Sequence, residues 1–316
     1  MKILANDRIS QSGIDDLTAA GFEVLTTTVA QEQLENFINS ESIVALLVRS
    51  ATTVRKDLID ACPSLKIIGR GGVGMDNIDV EYAREKGLSV INTPAASSES
   101  VAELVFAHLF SGVRFLYDSN RAMPLDGDSK FKALKKAYAK GTELRGKTLG
   151  VIGFGRIGQA TAKMALGLGM KVIAFDPFLE KTTLSLSFFD GQTIDFEIQT
   201  VSKETVLKES DFITLHVPAQ KEFVIGEAEL ELMKDGAGLI NAARGGVVNE
   251  VALAKALNSN KLAFAGLDTF ENEPTPAVQL LMNPKISLTP HIGAATNQAQ
   301  DRIGSELASQ IISILK

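Results

Sequence analysis

The chain is short of cysteine, of excess positive charge and of long apolar runs, and each shortage removes a class of protein. Its single cysteine, Cys62, leaves no internal disulfide and fits a reducing compartment. Lysine and arginine number 32 against 38 acidic residues, a net charge of −6 that argues against a nucleic-acid partner. The opening residues, MKILANDRIS, hold no apolar signal core, and no run approaches membrane-spanning length. A cytoplasmic protein without a metal is therefore expected. What remains is ordinary for a globular chain, 45% hydrophobic and 22% charged, and 316 residues suggest about two domains.

The most legible stretch is 148–176, TLGVIGFGRIGQATAKMALGLGMKVIAFD, which reads as strand, glycine turn, helix and second strand. Gly153, Gly155 and Gly158 have the spacing of the dinucleotide fingerprint. The first permits the tight turn, the second lets backbone approach a pyrophosphate, and the third lets the helix lie close on the strand. The helix N-terminus offers N–H groups and a positive dipole end to phosphates. Asp176 comes 18 residues after Gly158, placed to accept from an adenosine ribose and to repel a 2′-phosphate, so NAD is expected over NADP. A glycine triplet alone also fits a turn with no ligand; the strand, helix and acid around it favour the cofactor.

Short β-rich runs at 2–5, 23–26, 45–48, 66–69 and 89–92 start 21 to 23 residues apart, with helical patterns such as 10–20 and 56–61 between them. That predicts a first parallel α/β unit. The serines of 97–100 offer helix caps, with Ser100 and Glu103 spaced as a capping box, and one helix is expected to run to about Tyr117. Lysines at 130, 132, 135, 136 and 140 read as a solvated face. Runs at 212–217, 238–241, 264–268 and 286–288 suit further parallel strands, while 183–199 is irregular and unassigned. A last helix over 296–315 is long enough to return to the first domain.

Chemistry is sought where strands end. NAARGG at 241–246 sets Arg244 after an apolar strand and before a glycine pair, which suits bidentate binding of a carboxylate. Asp268 ends the next strand, Glu273 lies in the turn ENEP, and His291 stands in TPHIGA. Of three histidines, His108 falls inside the long helix and reads as packing, and His216, before Pro218, reads as structural. His291 has the better case. A histidine and a carboxylate on separate loops can form a relay in which the carboxylate fixes the tautomer. Glu271 and Glu273 compete for that part.

The motifs LVRSAT (47–52), GRGGVGMDNID (69–79), NTP (92–94), GTEL (141–144), the fingerprint, NAARGG, LDTFENEP (267–274) and TPHIGAAT (289–296) occur in this order. Through them nearly the whole chain resembles the D-isomer-specific 2-hydroxyacid dehydrogenases, and within that family the phosphoglycerate dehydrogenase branch. The architecture expected is α/β with two doubly wound parallel-sheet domains. A Rossmann nucleotide-binding domain, 97–287, is inserted in a flavodoxin-like substrate domain of 1–96 and 288–316, with the cleft between them.

The resemblance implies that Arg244 holds the substrate carboxylate and carbonyl, that Glu273, 29 residues later, is the relay carboxylate, and that His291 is the acid/base. Cofactor contacts are implied at Val73, Arg156, Ile157, Asp176, Val217, Ala242, Asp268 and Gly293, beside the fingerprint glycines. Val73 and Val217 stand where some relatives carry hydroxyls, so backbone contacts are expected there. Asn249 replaces an aspartate common after RGGxV and reads as a capping change. The implied reaction is NAD-dependent oxidation of 3-phospho-D-glycerate to 3-phosphooxypyruvate, the first step of serine biosynthesis. Reduction of glyoxylate, hydroxypyruvate or another 2-keto acid is the alternative, and a dinucleotide-sensing corepressor-like protein is the alternative from another class. A homodimer is expected, paired through the nucleotide domains. Because the chain stops soon after its last helix, no appended regulatory domain and no feedback by serine are expected. A phosphate on the substrate needs a further cation, for which Arg49 and Arg70 are the candidates, each following a short strand. Ser50 can add a donor, and Gly71, Gly72 and Gly74 can let backbone N–H groups reach the anion. The plainer alternative is that each arginine pairs with a surface acid.

Overall fold

The computed structural model describes residues 1–316. Contacts divide them into two units, Met1–Ser100 with Ala294–Lys316, and Val101–Gly293. The changes of unit fall a few residues later than the 96/97 and 287/288 expected. Local bonds account for this: Arg302 Nε donates to Ala96 O and Ser100 Oγ meets Thr296 Oγ1, which ties 96–100 to the last helix.

In the first unit, β1 (Lys2–Ala5), β2 (Glu23–Leu25), β3 (Ile43–Val48), β4 (Ile67–Arg70) and β5 (Ser89–Asn92) form a parallel sheet in the order β2-β1-β3-β4-β5, the flavodoxin-like order. The sequence IVALLV of β3 shows why the strands read as unbroken apolar runs. Leu46 and Val48 enter one core with Leu4 and Ile68, and Ala45 and Leu47 enter the opposite core with Ile3 and Leu17. The last helix, Asn297–Leu315, is capped by Thr296, whose Oγ1 accepts from the Ala299 N–H. It buries Ala299, Ile303, Leu307 and Ile311, four residues apart, and packs on the helix Gln11–Ala19.

The second unit holds β6 (Thr148–Ile152), β7 (Lys171–Phe175), β8 (Lys181–Ser187), β9 (Thr193–Gln199), β10 (Phe212–Leu215), β11 (Ala237–Asn241), β12 (Leu262–Leu267) and β13 (Ile286–Leu288). Six of them form a parallel sheet in the order β13-β12-β11-β10-β6-β7. Strand order reverses between β6 and β10, and such a switch point is where an open α/β sheet binds its ligand. Both faces are covered, Leu239 of β11 entering one core and Ile240 the other.

Three local expectations are corrected. Residues left unassigned form an antiparallel hairpin, β8 with β9, with Leu184 and Ile198 buried and Phe188 and Phe189 exposed at its turn. The capping box fails because the helix starts at Ser98, so Ser100 lies inside its first turn. That helix ends at Val113, not near Tyr117: Phe115 takes φ 55°, and a second helix, Leu116–Asp126, follows. No helix is long and apolar enough to cross a membrane.

Candidate active site

At the end of β6, Gly153 turns with φ 89°, a value that favours glycine. Gly155 caps the helix Arg156–Gly167 without any side-chain bond, and the space where its Cβ would stand is open. A Cβ on Gly158 would collide with the carbonyl of Gly153, so the helix can lie against the turn only with glycine there. Asp176 follows β7. Its Oδ2 accepts from the Phe154 N–H (2.8 Å) and its Oδ1 from the Phe178 N–H (2.9 Å). Each carboxylate oxygen keeps a second acceptor position, which a ribose hydroxyl can use. A helix start without a side-chain cap, a backbone open to close approach and a carboxylate at the next strand end together fit a dinucleotide. Arg156 is exposed and Ile157 half-buried in the first turn of that helix, and Val217 packs its Cγ1 toward Gly153.

Arg244, Glu273 and His291 lie on three loops of the same unit. Glu273 is held at both oxygens: Oε1 accepts from the Phe270 N–H (3.0 Å), and Oε2 lies 2.8 Å from His291 Nδ1. Glu271 is turned to other use. Its Oε1 accepts from the Glu250 N–H (2.9 Å), while its own N–H donates to Glu250 Oε1 (2.8 Å). Burial pushes the Glu250 carboxyl up, opposed by its bond from the Glu271 amide. Gly245 passes so close to Phe270 O that a Cβ would collide with it, so the Arg244 loop and the Glu273 turn interlock. Arg244 itself donates from Nη1 to Ala243 O (2.7 Å), and its carbonyl accepts from Asn241 Nδ2. Asn249 caps the helix Glu250–Asn258 through its side chain, as a capping change would.

Because a carboxylate only accepts, His291 donates from Nδ1, so in the neutral ring the lone pair lies on Nε2. That is the protonation pattern of a general base. Asp268 is almost fully buried and accepts from Thr289 Oγ1, Ile292 N–H and Gly293 N–H. Ala242 is buried just past β11. His216 is half-buried, with Nε2 3.1 Å from Thr214 Oγ1, and desolvation pushes its pKa down to about 3. His108, read as packing, is instead bonded at both ring nitrogens, to Ser287 and Thr289.

In the first unit, Arg49 follows β3 and Arg70 is the last residue of β4 rather than the one after it. Arg70 Nη2 donates to Ser50 Oγ (3.3 Å), and its guanidinium covers Gly72, where a Cβ would collide with it. The Gly71 N–H donates to Val48 O at the end of β3, and the Gly72 N–H to Arg70 O. Val73 O accepts from Asn92 Nδ2, and Gly74 is half-buried in the same loop. A cavity of about 660 Å³ in the second unit, bordered by Tyr138, Lys147 and Phe212, lies at the starts of β6 and β10 and contains none of these residues.

Residues 106–293 match the family model described as D-isomer specific 2-hydroxyacid dehydrogenase, NAD binding domain. Over 298 residues, 93% of this chain and 91% of the relative, the chain is 43% identical to a hydroxypyruvate reductase of Thermotoga maritima. It is 39% identical over 320 residues to a D-3-phosphoglycerate dehydrogenase of Archaeoglobus fulgidus, covering all of this chain but 58% of the relative. Among solved structures it is similar to the TT0316 protein of Thermus thermophilus, with TM-score 0.84 and 31% identity over 100% of this chain and 97% of that one.

Proposed function

The chain belongs to the D-isomer specific 2-hydroxyacid dehydrogenase family, and we propose that it oxidises 3-phospho-D-glycerate to 3-phosphooxypyruvate with NAD. The observation that carries the reaction class is the His291–Glu273 pair, 2.8 Å apart, in the unit that also holds Arg244 and the dinucleotide turn. Bound nicotinamide supplies the acceptor for the hydride leaving C2. The chain binds, orients and moves the proton. Arg244 takes the substrate carboxylate, its planar fork matching two oxygens. His291 Nε2 takes the hydroxyl proton, and the charge of Glu273 stabilises the imidazolium so formed. Asp176 takes the adenosine ribose. Asp268 and Gly293, bonded to each other, serve with Ala242 as further cofactor contacts. Arg49, Arg70 and Ser50 supply cationic and hydroxyl donors for the phosphate, supported by the Arg70–Ser50 bond.

Reduction of hydroxypyruvate is the second reading. It is favoured by the Thermotoga relative of that name, which aligns over 91% of its own length, whereas the chain spans 58% of the phosphoglycerate dehydrogenase. In that direction His291 starts protonated and donates. The two readings separate on Arg49→Ala and Arg70→Ala, assayed by NADH absorbance with 3-phosphoglycerate and with glyoxylate and hydroxypyruvate. Loss of one charge-assisted hydrogen bond, about 1.5 to 3 kcal/mol, should weaken the phosphorylated substrate roughly ten- to a hundredfold and spare the others. Equal losses on all of them would sink the phosphate reading and make the keto-acid reductase the better assignment. The same chain is proposed to pair with a second copy, for which exposed Leu116, Met123, Leu125 and Phe131 offer apolar surface.

A further inference from the structure

A line of hydrogen-bonded side chains crosses the second unit from the helix Ser98–Val113 to the segment carrying His291. Ser287 Oγ lies 2.8 Å from His108 Nδ1, and His108 Nε2 lies 3.0 Å from Thr289 Oγ1. Thr289 Oγ1 donates to Asp268 Oδ1 at 2.6 Å. Asp268 then accepts the Ile292 N–H at Oδ1 (2.8 Å) and the Gly293 N–H at Oδ2 (2.9 Å). Chemistry sets the direction of every bond. The carboxylate only accepts, so Thr289 must donate to it, and the remaining lone pairs of Thr289 accept from His108 Nε2–H. Nδ1 of the neutral ring is then the acceptor, and Ser287 donates to it. Burial keeps the ring neutral by lowering its pKa, against the opposing charge of Asp268.

The two amides held by Asp268 are the two that follow His291, whose φ is 54°. Left-handed backbone at a residue with a side chain persists only where its surroundings hold it. The site is built to admit the histidine: a Cβ on Gly266 of β12 would collide with His108, so the ring packs directly on strand backbone.

We propose that His108 is a positioning residue. It fixes the Thr289 hydroxyl on Asp268, and through that carboxylate it holds the Ile292 and Gly293 amides and the place of His291 relative to Glu273. This rests on reading His291 as the acid/base.

His108→Leu removes the donor and keeps the bulk, and His108→Gln offers an amide N–H to Thr289 from nearly the same place. Thr289→Val cuts the line one step later, and it carries the same test if the leucine variant does not fold. Two readouts are needed in the full-length protein, hydrogen exchange at the Ile292 and Gly293 amides and steady-state turnover with NAD. His108→Leu should speed exchange at both amides and lower kcat roughly ten- to a hundredfold with KM little changed, as a small misplacement of a reacting group does. His108→Gln should restore both, and the His108→Leu/Thr289→Val pair should lose no more than the worse single variant. Unchanged exchange in His108→Leu, or equal losses with leucine and glutamine, would overturn the proposal. So would loosened amides with unchanged kcat. Failure of the underlying reading looks different, because His291→Ala would then itself retain turnover.

Discussion

Replacing Glu273 by glutamine exchanges one oxygen for nitrogen and removes one charge, and the surrounding bonds dictate how the new side chain sits. Its amide oxygen must stay on the Phe270 N–H, since turning the NH2 group there would set donor against donor. The NH2 group therefore falls at the Oε2 position, 2.8 Å from His291 Nδ1. Nδ1 can meet it only as a lone pair, which moves the ring proton to Nε2. The nitrogen assigned to remove the substrate proton is then already protonated.

Two magnitudes make the test selective. The His291 and Glu273 side chains are 41% and 37% exposed, so their attraction contributes about 1 kcal/mol or less to stability. General acid/base loss instead costs about 10²- to 10⁴-fold, or about 2.7 to 5.5 kcal/mol of barrier. The Glu273→Gln protein should thus melt close to the parent and bind NAD normally, yet turn over orders of magnitude more slowly, with a changed dependence of kcat on pH. His291→Ala should be the worse loss. Steady-state rates from NADH absorbance across pH, beside a nucleotide dissociation constant and a melting curve, measure all three. A glutamine variant with the parental rate and pH profile would refute the relay, and a variant that loses NAD binding would show that Glu273 acts on structure.

Catalytic efficiency should be higher with NAD than with NADP, because Asp176 sets a carboxylate at the end of β7; equal use of NADP would contradict it. Acid should destabilise the fold through His108 and His216, whose pKa values desolvation lowers. Burial holds His216 at about 3 against an ordinary 6.5, so the folded state binds fewer protons than the unfolded one between those values. The stability this gives is complete above about pH 6.5 and falls by up to about 1.4 kcal/mol per pH unit below it. Urea midpoints measured down to about pH 5 should show the slope, and His216→Gln should flatten it. Light scattering at micromolar concentration should report a homodimer; a monomer would reject the role given to Leu116, Leu125 and Phe131.

The parts of the fold that were legible are those where one physical demand acts on adjacent residues. Parallel strands covered on both faces must be apolar throughout, and for that reason the central strands β1, β3 and β4 fall on the residues expected or shift only at their ends; the edge strand β5, only half-buried, also matches. The fingerprint was legible because each glycine answers a separate steric need within six residues, and those needs recur as the positive φ of Gly153 and the collision at Gly158. The capping box at Ser100 and Glu103 had the correct local spacing and still failed. Ser100 finds its partner in Thr296, 196 residues away, and a tertiary bond outweighs a local motif worth about 1 kcal/mol.

The hairpin of β8 and β9 was written in the chain and missed for a related reason. Thr182, Leu184 and Leu186 alternate with exposed polar residues, as do Ile194, Phe196 and Ile198, a period of two that marks a ribbon covered on one face, not an unbroken parallel strand. The line from Ser287 to Asp268 had no local signature, since its first bond joins residues 179 apart. A different kind of signal points to it. His108 lies in a helix buried beside β12, and Ser287 lies in a short strand between apolar neighbours, positions where a polar group left without a partner would be costly. Two such residues in separate buried elements satisfy that requirement most simply by meeting each other. Polar residues set into apolar elements therefore carry contact information that periodicity does not, and here they lead from a residue read as packing to the turn that holds His291.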